Sequence, residues 1–362
     1  MSSTIANAVK RTRDELGLTT TTLAQQAGVP EPELTEFERG NHALAASALT
    51  RLARAMGVPP TSFLTDERAR EVRSALAHAR FFHPTDAPVL SEADTVALAR
   101  ELSRAQVFAD LVAPRVDLDA EYAPTRPGAR PWRNGYDLAS SLRSRLARSA
   151  TAPILNVQEL LEDELGILVA RHAFADRRLR EVAVRGPKAR LVVVSNRLSK
   201  SLLRISLAHG LCHHLCDLEP NDSLSEGDHS SPDGFSTSDS GEEQRAKAFA
   251  VMFLAPRALV RELFGAPAHQ FVEPGRALGA ASQLAAECGI GQTAALWHLF
   301  HLEYLSDRES DIQSLQLRVS FVEPPSAFEQ SFAGHDGLLR AVERALANDE
   351  IGPDQADWLR SL

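Results

Sequence analysis

The chain has 362 residues, more than one hydrophobic core usually organises, so we expect two or three domains. Its 44% hydrophobic and 24% charged residues are typical of a globular protein and exclude disorder throughout. No run approaches the ~18 apolar residues of a membrane span, and the N-terminus lacks the apolar segment of a secretory signal. We therefore expect a cytoplasmic protein with no membrane partner. The net charge of −9 argues against a nucleic-acid partner unless individual segments differ from the average.

The first 66 residues predict a five-helix bundle. Residues 4–16 carry apolar side chains at helical spacing, and Gly17 ends the pattern. Two short helices follow, joined at Gly28, which is the helix-turn-helix pattern. The segments LAQQAGV, LTEFERG and LTRLARAMGVPPTSF resemble the Cro/C1-type (XRE) helix-turn-helix domain. This resemblance implies a DNA-binding head.

The second helix of such a domain reads bases with its first residues, while basic side chains and amides bind phosphates. The candidate DNA-binding residues are Gln25, Gln26, Glu31, Glu33, Thr35 and Arg39. Residues 1–64 are neutral, with six basic and six acidic side chains, and glutamates in the recognition helix repel phosphates. We therefore expect weak DNA binding per monomer and a homodimer that engages two half-sites.

The rest of the chain divides by composition. Residues 67–135 predict a helical spacer with a Pro-rich linker, 136–305 a domain of helices and a small sheet, and 306–362 a helical tail. The strands are predicted in ILVARHAF, EVAVRG and ARLVVVSN. The acidic segment 217–241 predicts a mobile loop. The fold class is mainly α with a small β-sheet (α+β), and the spacer helices or the final helix GLLRAVERALAND are candidates for the dimer interface.

Local charge differs from the average in the middle of the chain. Between Glu121 and Arg204, sixteen basic residues oppose eight acidic ones, a balance of +8. Three interpretations stay open at this point: contact with DNA beside the head, contact with the acidic loop, or solvated surface.

The segment RISLAHGLCHHLCDL carries the clearest chemical signal. His209 and His213 are four residues apart, so on a helix both imidazoles can bind one metal ion, as in the zinc motif H-E-x-x-H. Gly210 stands where that motif has its general base. A third ligand must come from elsewhere, and the helix after the acidic loop begins with Glu242 and Glu243.

These segments resemble the ImmA/IrrE family of metallopeptidases, whose fold is zincin-like. The matching features are the strand LVVVSN, the motif around Arg204 and His209, and the later helix that ends at Pro256. The resemblance implies that zinc is bound by His209, His213 and Glu243. The chain departs from the family at Gly210, which replaces the glutamate, at Cys212, which replaces a glycine, and at Lys247, which replaces an asparagine.

We interpret the chain as a DNA-binding regulator whose peptidase-like domain senses a signal or binds a partner and has lost catalysis, because no catalytic residue remains at position 210. One alternative is an active zinc endopeptidase that cleaves a repressor partner with a base from the acidic loop, such as Glu226 or Asp228. A second alternative is an antitoxin or adaptor module that binds protein.

The cysteines and the other histidines allow further readings. Cys212 and Cys216 share a helical stripe with the two histidines, so they are additional metal or redox candidates, although free cysteines are more often buried apolar residues. We expect His214 to point away from the metal, partly exposed or supporting a ligand. His172, His298 and His301 lack a ligand-type partner, and for the last two we expect core packing.

Overall fold

The computed structural model describes residues 2–42, 44–58, 63, 75–76, 78–83, 90–218, 241–268, 270–305, 308–319, 328 and 336–360. Most of the acidic segment, including Glu226 and Asp228, lies outside these ranges, as does most of the fifth helical turn predicted for the head. The predicted α+β class is confirmed: many helices surround one four-stranded sheet.

Four helices form the described part of the head: α1 (Ser2–Glu15), α2 (Thr20–Ala27), α3 (Glu31–Glu38) and α4 (Ala46–Ala55). The Thr19 hydroxyl caps α2, and Gly28 ends that helix at φ 60°, a left-handed conformation that glycine adopts without strain. Leu23, Leu34 and Leu52 are completely buried between the helices. The predicted helix-turn-helix geometry is therefore present, with α3 as its second helix.

The sheet contains β1 (Arg80–Phe82), β2 (Ile167–His172), β3 (Glu181–Arg185) and β4 (Arg190–Ser195) in the order β1-β3-β4-β2. Only β2 and β4 run parallel; β3 is antiparallel to both of its neighbours. Alternate residues of β4 face two different cores, because helices cover both faces of the sheet. This double burial explains why β2, β3 and β4 are almost continuously apolar in sequence.

The helices after the head are α5 (Glu92–Leu111), α6 (Leu118–Glu121), α7 (Pro131–Arg145), α8 (Val157–Glu159, continued by a π-helix over Leu160–Glu164), α9 (Lys200–Cys216), α10 (Gly241–Leu254), α11 (Arg257–Phe264), α12 (Pro274–Cys288), α13 (Gln292–His301), α14 (Glu309–Gln316), α15 (Asp336–Ala347) and α16 (Pro353–Arg360). No helix in the described ranges combines the length and the apolarity that crossing a membrane requires.

Two features of this layout differ from the sequence expectations. The spacer contributes β1, which pairs with β3, whereas only helices were predicted there. A three-residue strand is too short to show a two-residue period, so only its partner reveals it. Helix α7 begins at Pro131, inside the segment predicted as the Pro-rich linker. Helix α10 ends at Leu254, just before Pro256, as expected.

The final helix is a core element rather than an open face. Leu338, Ala341, Val342 and Ala345 of α15 are buried in the same core as α5 and the far face of the sheet. The apolar side that made this helix a candidate dimer interface is already covered within the chain.

Many arginines of the basic segment also have internal partners, a role that none of the three interpretations included. Arg143 and Arg204 are buried and donate to backbone carbonyls, and Arg185 and Arg190 both bind Asp119. The local balance of +8 therefore overstates the positive surface of this region.

Candidate metal centre

The fold brings together the three predicted ligands. His209 and His213 lie one turn apart on α9, and Glu243 lies in the first turn of α10, which packs beside α9. One ligand atom from each residue lies within 4.8 Å of the others, and all three side chains are buried. Within the described ranges this is the one His/Cys/Asp/Glu group with such spacing.

Each candidate ligand histidine is bound from behind by a carboxylate that the sequence motifs did not predict. The Nδ1 atom of His209 lies 2.9 Å from Oε2 of Glu181 on β3, and Nδ1 of His213 lies 2.7 Å from Oδ2 of Asp217. Carboxylates in this position fix the tautomer and orientation of metal-binding histidines. Asp217 could have been found from its spacing four residues after His213, and Glu181 from its charge at the start of a buried apolar strand.

The hydrogen bonds at Nδ1 leave the Nε2 atoms facing Glu243. Nε2 of His209 lies 3.2 Å from Oε2 of Glu243, and Nε2 of His213 lies 3.2 Å from Oε1 without the alignment of a hydrogen bond. Two imidazole lone pairs and a carboxylate can share this space only with protons or a cation between them. A divalent metal ion satisfies all three donors at once, so these residues fit the group that the family resemblance implies.

The same geometry shifts the pKa values of the three side chains. Burial by itself lowers the pKa of both imidazoles, but the surrounding carboxylates outweigh it, and the pKa of His213 rises to about 10. Burial alone raises the pKa of Glu243, but the two histidines hold it well below its ordinary value. Metal binding must displace the protons that the histidines hold.

Formal charge supports the same conclusion. With neutral imidazoles, the carboxylates of Glu181, Asp217 and Glu243 contribute −3, and Arg245, which binds Asp217, contributes +1. The sum is −2, which one divalent cation balances. Two imidazole nitrogens and one carboxylate are ligands that zinc prefers.

Strand β1 closes one side of the centre. The ring of Phe82 stacks on that of His209, with centroids 4.1 Å apart, and the Arg180 guanidinium also lies over the Phe82 ring. Phe82 also lines a cleft of about 1210 Å³ together with Trp132, Tyr136, Lys247 and His301. A segment from the spacer thus separates His209 from this aromatic cleft.

The remaining candidates on α9 have other surroundings. Cys212 and Cys216 are free and buried among apolar side chains, outside the group of ligand atoms. A hydrogen bond from Cys212 and the nearby Arg245 guanidinium lower the pKa of Cys216 to about 7. His214 is buried and contacts the carbonyl of Leu191, so the expectation of partial exposure was wrong.

The other three histidines singled out in the sequence, His172, His298 and His301, have different surroundings. His298 is buried, bonds to the Tyr136 hydroxyl and to the carbonyl of Ala255, and burial lowers its pKa to about 3. This confirms the expected core role of His298. His301 instead stacks on Trp132 at the cleft, and His172 contacts Asp94.

Arg204, part of the family motif, anchors α9. It is buried, donates to the carbonyls of Ile154, Leu155, Cys288 and Gly289, and stacks on Phe328. Its role in this chain is to fix the start of the ligand helix.

The candidate DNA-binding residues lie on α2, on α3 and directly after α3. Gln25, Gln26, Glu31, Glu33 and Arg39 are exposed, and Thr35 is half-buried. Three of these side chains have partners within the head, among them the Thr35 hydroxyl, which donates to the backbone carbonyl of Glu31. Oε1 of Glu31 accepts a hydrogen bond from the Thr21 hydroxyl, and Arg39 lies 2.5 Å from Glu36. The main cation of this surface is thus held by an acidic neighbour.

Comparison with protein-family models supports both the helix-turn-helix head and the domain that contains the candidate metal centre. Residues 5–63 match the family model of a helix-turn-helix domain, and residues 162–291 match that of an IrrE N-terminal-like domain. No curated protein and no solved structure matches the chain. The chain thus joins a Cro/C1-type helix-turn-helix domain to an IrrE-like, peptidase-type domain, as its motifs predict.

Proposed function

We propose that this chain is a DNA-binding transcriptional regulator whose IrrE-like domain holds a divalent metal ion, zinc by its ligand types, and acts as a sensing or partner-binding module without peptidase activity. The observation that carries the proposal is the combination of His209, His213 and Glu243, each ligand histidine backed by a carboxylate, with a glycine at position 210. The ligand set is complete, whereas the usual base is absent.

His209, His213 and Glu243 would hold the ion. When bound in a peptidase, such an ion acidifies water and polarises a carbonyl group. That chemistry also requires a residue that accepts a proton, and position 210 offers none. The chain's own residues orient and shield the ligands: Glu181 and Asp217 bind the histidines from behind, and Phe82 covers His209.

For the head, we propose that α3 enters the major groove and that a homodimer in the cytoplasm binds two half-sites. The exposed glutamines and glutamates of α2 and α3 support base contacts to adenine and cytosine. A protein partner or a cleaved repressor are the competing functions, and two experiments separate them.

The first experiment is metal analysis of the purified protein and of His209→Ala, with His42→Ala, an exposed histidine of the head, as the control. We expect one zinc per chain in the wild type and in the control, and none in His209→Ala. Metal-free wild type after purification with zinc present would contradict the metal role.

The second experiment asks what the protein binds and whether it cleaves. Genomic DNA fragments selected by the full-length protein at low salt should yield a two-fold symmetric site. A stoichiometric protein partner that survives high salt, with no DNA selected, would favour the adaptor function. Turnover of a fluorogenic peptide library by zinc-loaded wild type, but not by His209→Ala, would overturn the inactive assignment.

A further inference from the structure

At Gly210 any side chain would collide with the Glu181 carboxyl group in its present position. A Cβ atom at this position would lie 2.7 Å from Oε1 and 3.0 Å from Cδ of Glu181, and 3.0 Å from Cγ2 of Val192. Real Cβ atoms essentially never approach another heavy atom below 3.0 Å, so even alanine would require the Glu181 carboxyl group to move. The missing side chain and the Glu181 carboxyl group thus occupy one and the same space.

Glu181 is held in this space by its strand. It is completely buried and pairs with Phe82 of β1 on one side and with Val194 of β4 on the other. Its Oε2 atom accepts the hydrogen bond from His209, while no described residue donates to Oε1, which faces Gly210. The buried carboxylate therefore directs its hydrogen bond to a metal ligand.

We propose that Glu181 and Gly210 are a coupled pair and that Glu181 is a positioning residue for His209. Helix α9 has no carboxylate at position 210, and strand β3 instead places the carboxylate of Glu181 beside His209. The glycine provides the room, and the carboxylate holds the proton on Nδ1 so that Nε2 faces Glu243. Because Glu181 contacts the edge of the imidazole opposite Nε2, it orients the ligand and does not act as a base there.

This pairing has a consequence for restoring activity. A glutamate introduced at position 210 would meet the Glu181 carboxylate and place two negative charges in one buried space. We therefore expect Gly210→Glu alone to weaken the fold and to gain no peptidase activity. The packing of β3 against α9 therefore disfavours a general base at position 210.

The inference rests on the proposed function only in taking His209 as a metal ligand, so its steric part is tested without metal. The midpoint of urea unfolding of the full chain, in the presence of a metal chelator, is compared for the wild type, Gly210→Ala, Glu181→Ala and the double variant. Gly279→Ala is the matched control, because Gly279 also lies within a helix and a Cβ there meets nothing within 4 Å. We expect the control to raise the midpoint, as alanine for glycine in a helix usually does.

Gly210→Ala should instead lower the midpoint, and the double variant should be more stable than the sum of the single changes predicts. A rise with Gly210→Ala equal to that of the control, or strict additivity, would overturn the coupling. Both outcomes can be measured even if the wild type binds no metal. In that case the proposed function fails, but the experiment still decides whether Glu181 and Gly210 are coupled.

The positioning role is tested by zinc affinity, measured by competition with a chromophoric chelator. We expect Glu181→Ala to weaken zinc binding by about 10–100-fold. Glu181→Gln should recover part of this loss, because an amide oxygen still accepts the hydrogen bond from Nδ1. Wild-type affinity in Glu181→Ala would overturn the positioning role, as would equal losses in the alanine and glutamine variants.

Discussion

Glu181 and His209 are 28 residues apart in the sequence, and a carboxylate oxygen of the first lies 2.9 Å from Nδ1 of the second. This contact joins the sheet to the helix that carries two predicted ligands. It also decides which nitrogen of His209 faces Glu243, and therefore the chemical character of the centre.

Asp217 should support His213 as Glu181 supports His209. Asp217→Asn removes the charge that the Nδ1–H of His213 and the guanidinium of Arg245 both contact. We expect zinc affinity to fall by about 10–100-fold, measured by chelator competition. The control is Asp94→Asn, which alters another aspartate–histidine pair, with His172 of β2, a strand that β4 separates from the strand of Glu181. Equal affinities in both variants would contradict the role of Asp217.

Glu162 should make the stability depend on pH. Burial raises its pKa from 4.5 to about 7, although Gln158, Val169 and Arg340 donate hydrogen bonds to it. Because the folded-state pKa is the higher one, the stability is fully present below about pH 4.5 and is lost as pH rises through about 7. The loss is at most about 3 kcal/mol.

Glu162→Gln should remove this part of the pH dependence. The measurement is the free energy of unfolding in urea at several pH values between 5 and 8 (roughly the range in which the shifted carboxyl group titrates). Glu159→Gln, at an exposed position of the same segment, is the control. If the stability of Glu162→Gln falls with pH as steeply as that of the wild type, this assignment is excluded.

Releasing Arg39 should strengthen DNA binding. Nη1 of Arg39 lies 2.5 Å from Oε1 of Glu36, so this carboxylate competes with DNA phosphates for the guanidinium. Glu36→Gln removes the competing charge. We expect tighter binding to DNA at low salt and a slope of log affinity against log salt that is steeper by about one phosphate contact. Glu343→Gln, which alters a comparable exposed pair with Arg360 outside the helix-turn-helix helices, should leave both quantities unchanged. An unchanged slope in Glu36→Gln would mean that Arg39 does not reach phosphate.

Arg204 should be essential for stability. Lysine cannot reproduce its four donations to buried carbonyls or its stacking on Phe328, so Arg204→Lys should cost about 3 kcal/mol. Urea unfolding measures this loss. Arg145→Lys alters an exposed ion pair with Glu121 and should change little. A neutral Arg204→Lys would show that the carbonyls find other donors.

Helix α15 should act as core and not as a dimer interface. Leu338 is completely buried, whereas Leu339 beside it is 37% exposed. Leu338→Ala should cost about 2–5 kcal/mol of stability, and Leu339→Ala far less. Sedimentation should give the same oligomeric state for both. Dissociation of a dimer by Leu338→Ala with unchanged unfolding of the monomer would contradict the internal packing.

Local signals in the sequence were sufficient for most of the elements and for two of the three candidate ligands. Caps and glycines predicted the head helices, apolar runs predicted β2, β3 and β4, and the spacing of His209 and His213 predicted a shared face. Each of these depends on residues close together in the chain. The pairing of Glu243 with that face came from family resemblance, because a distance between separate helices has no local signal.

Tertiary structure alone decided what surrounds those residues. The three-residue strand β1 exists because β3 offers it an edge, and it brings Phe82 onto His209. Four arginines of the middle segment, Arg143, Arg185, Arg190 and Arg204, are held by carbonyls or by Asp119 inside the fold, which local charge alone does not reveal. In the sequence, Gly210 indicates only that the general base is missing. In the folded chain it is also the space that Glu181 fills, because packing brings a strand carboxylate to the point where the helix has no side chain.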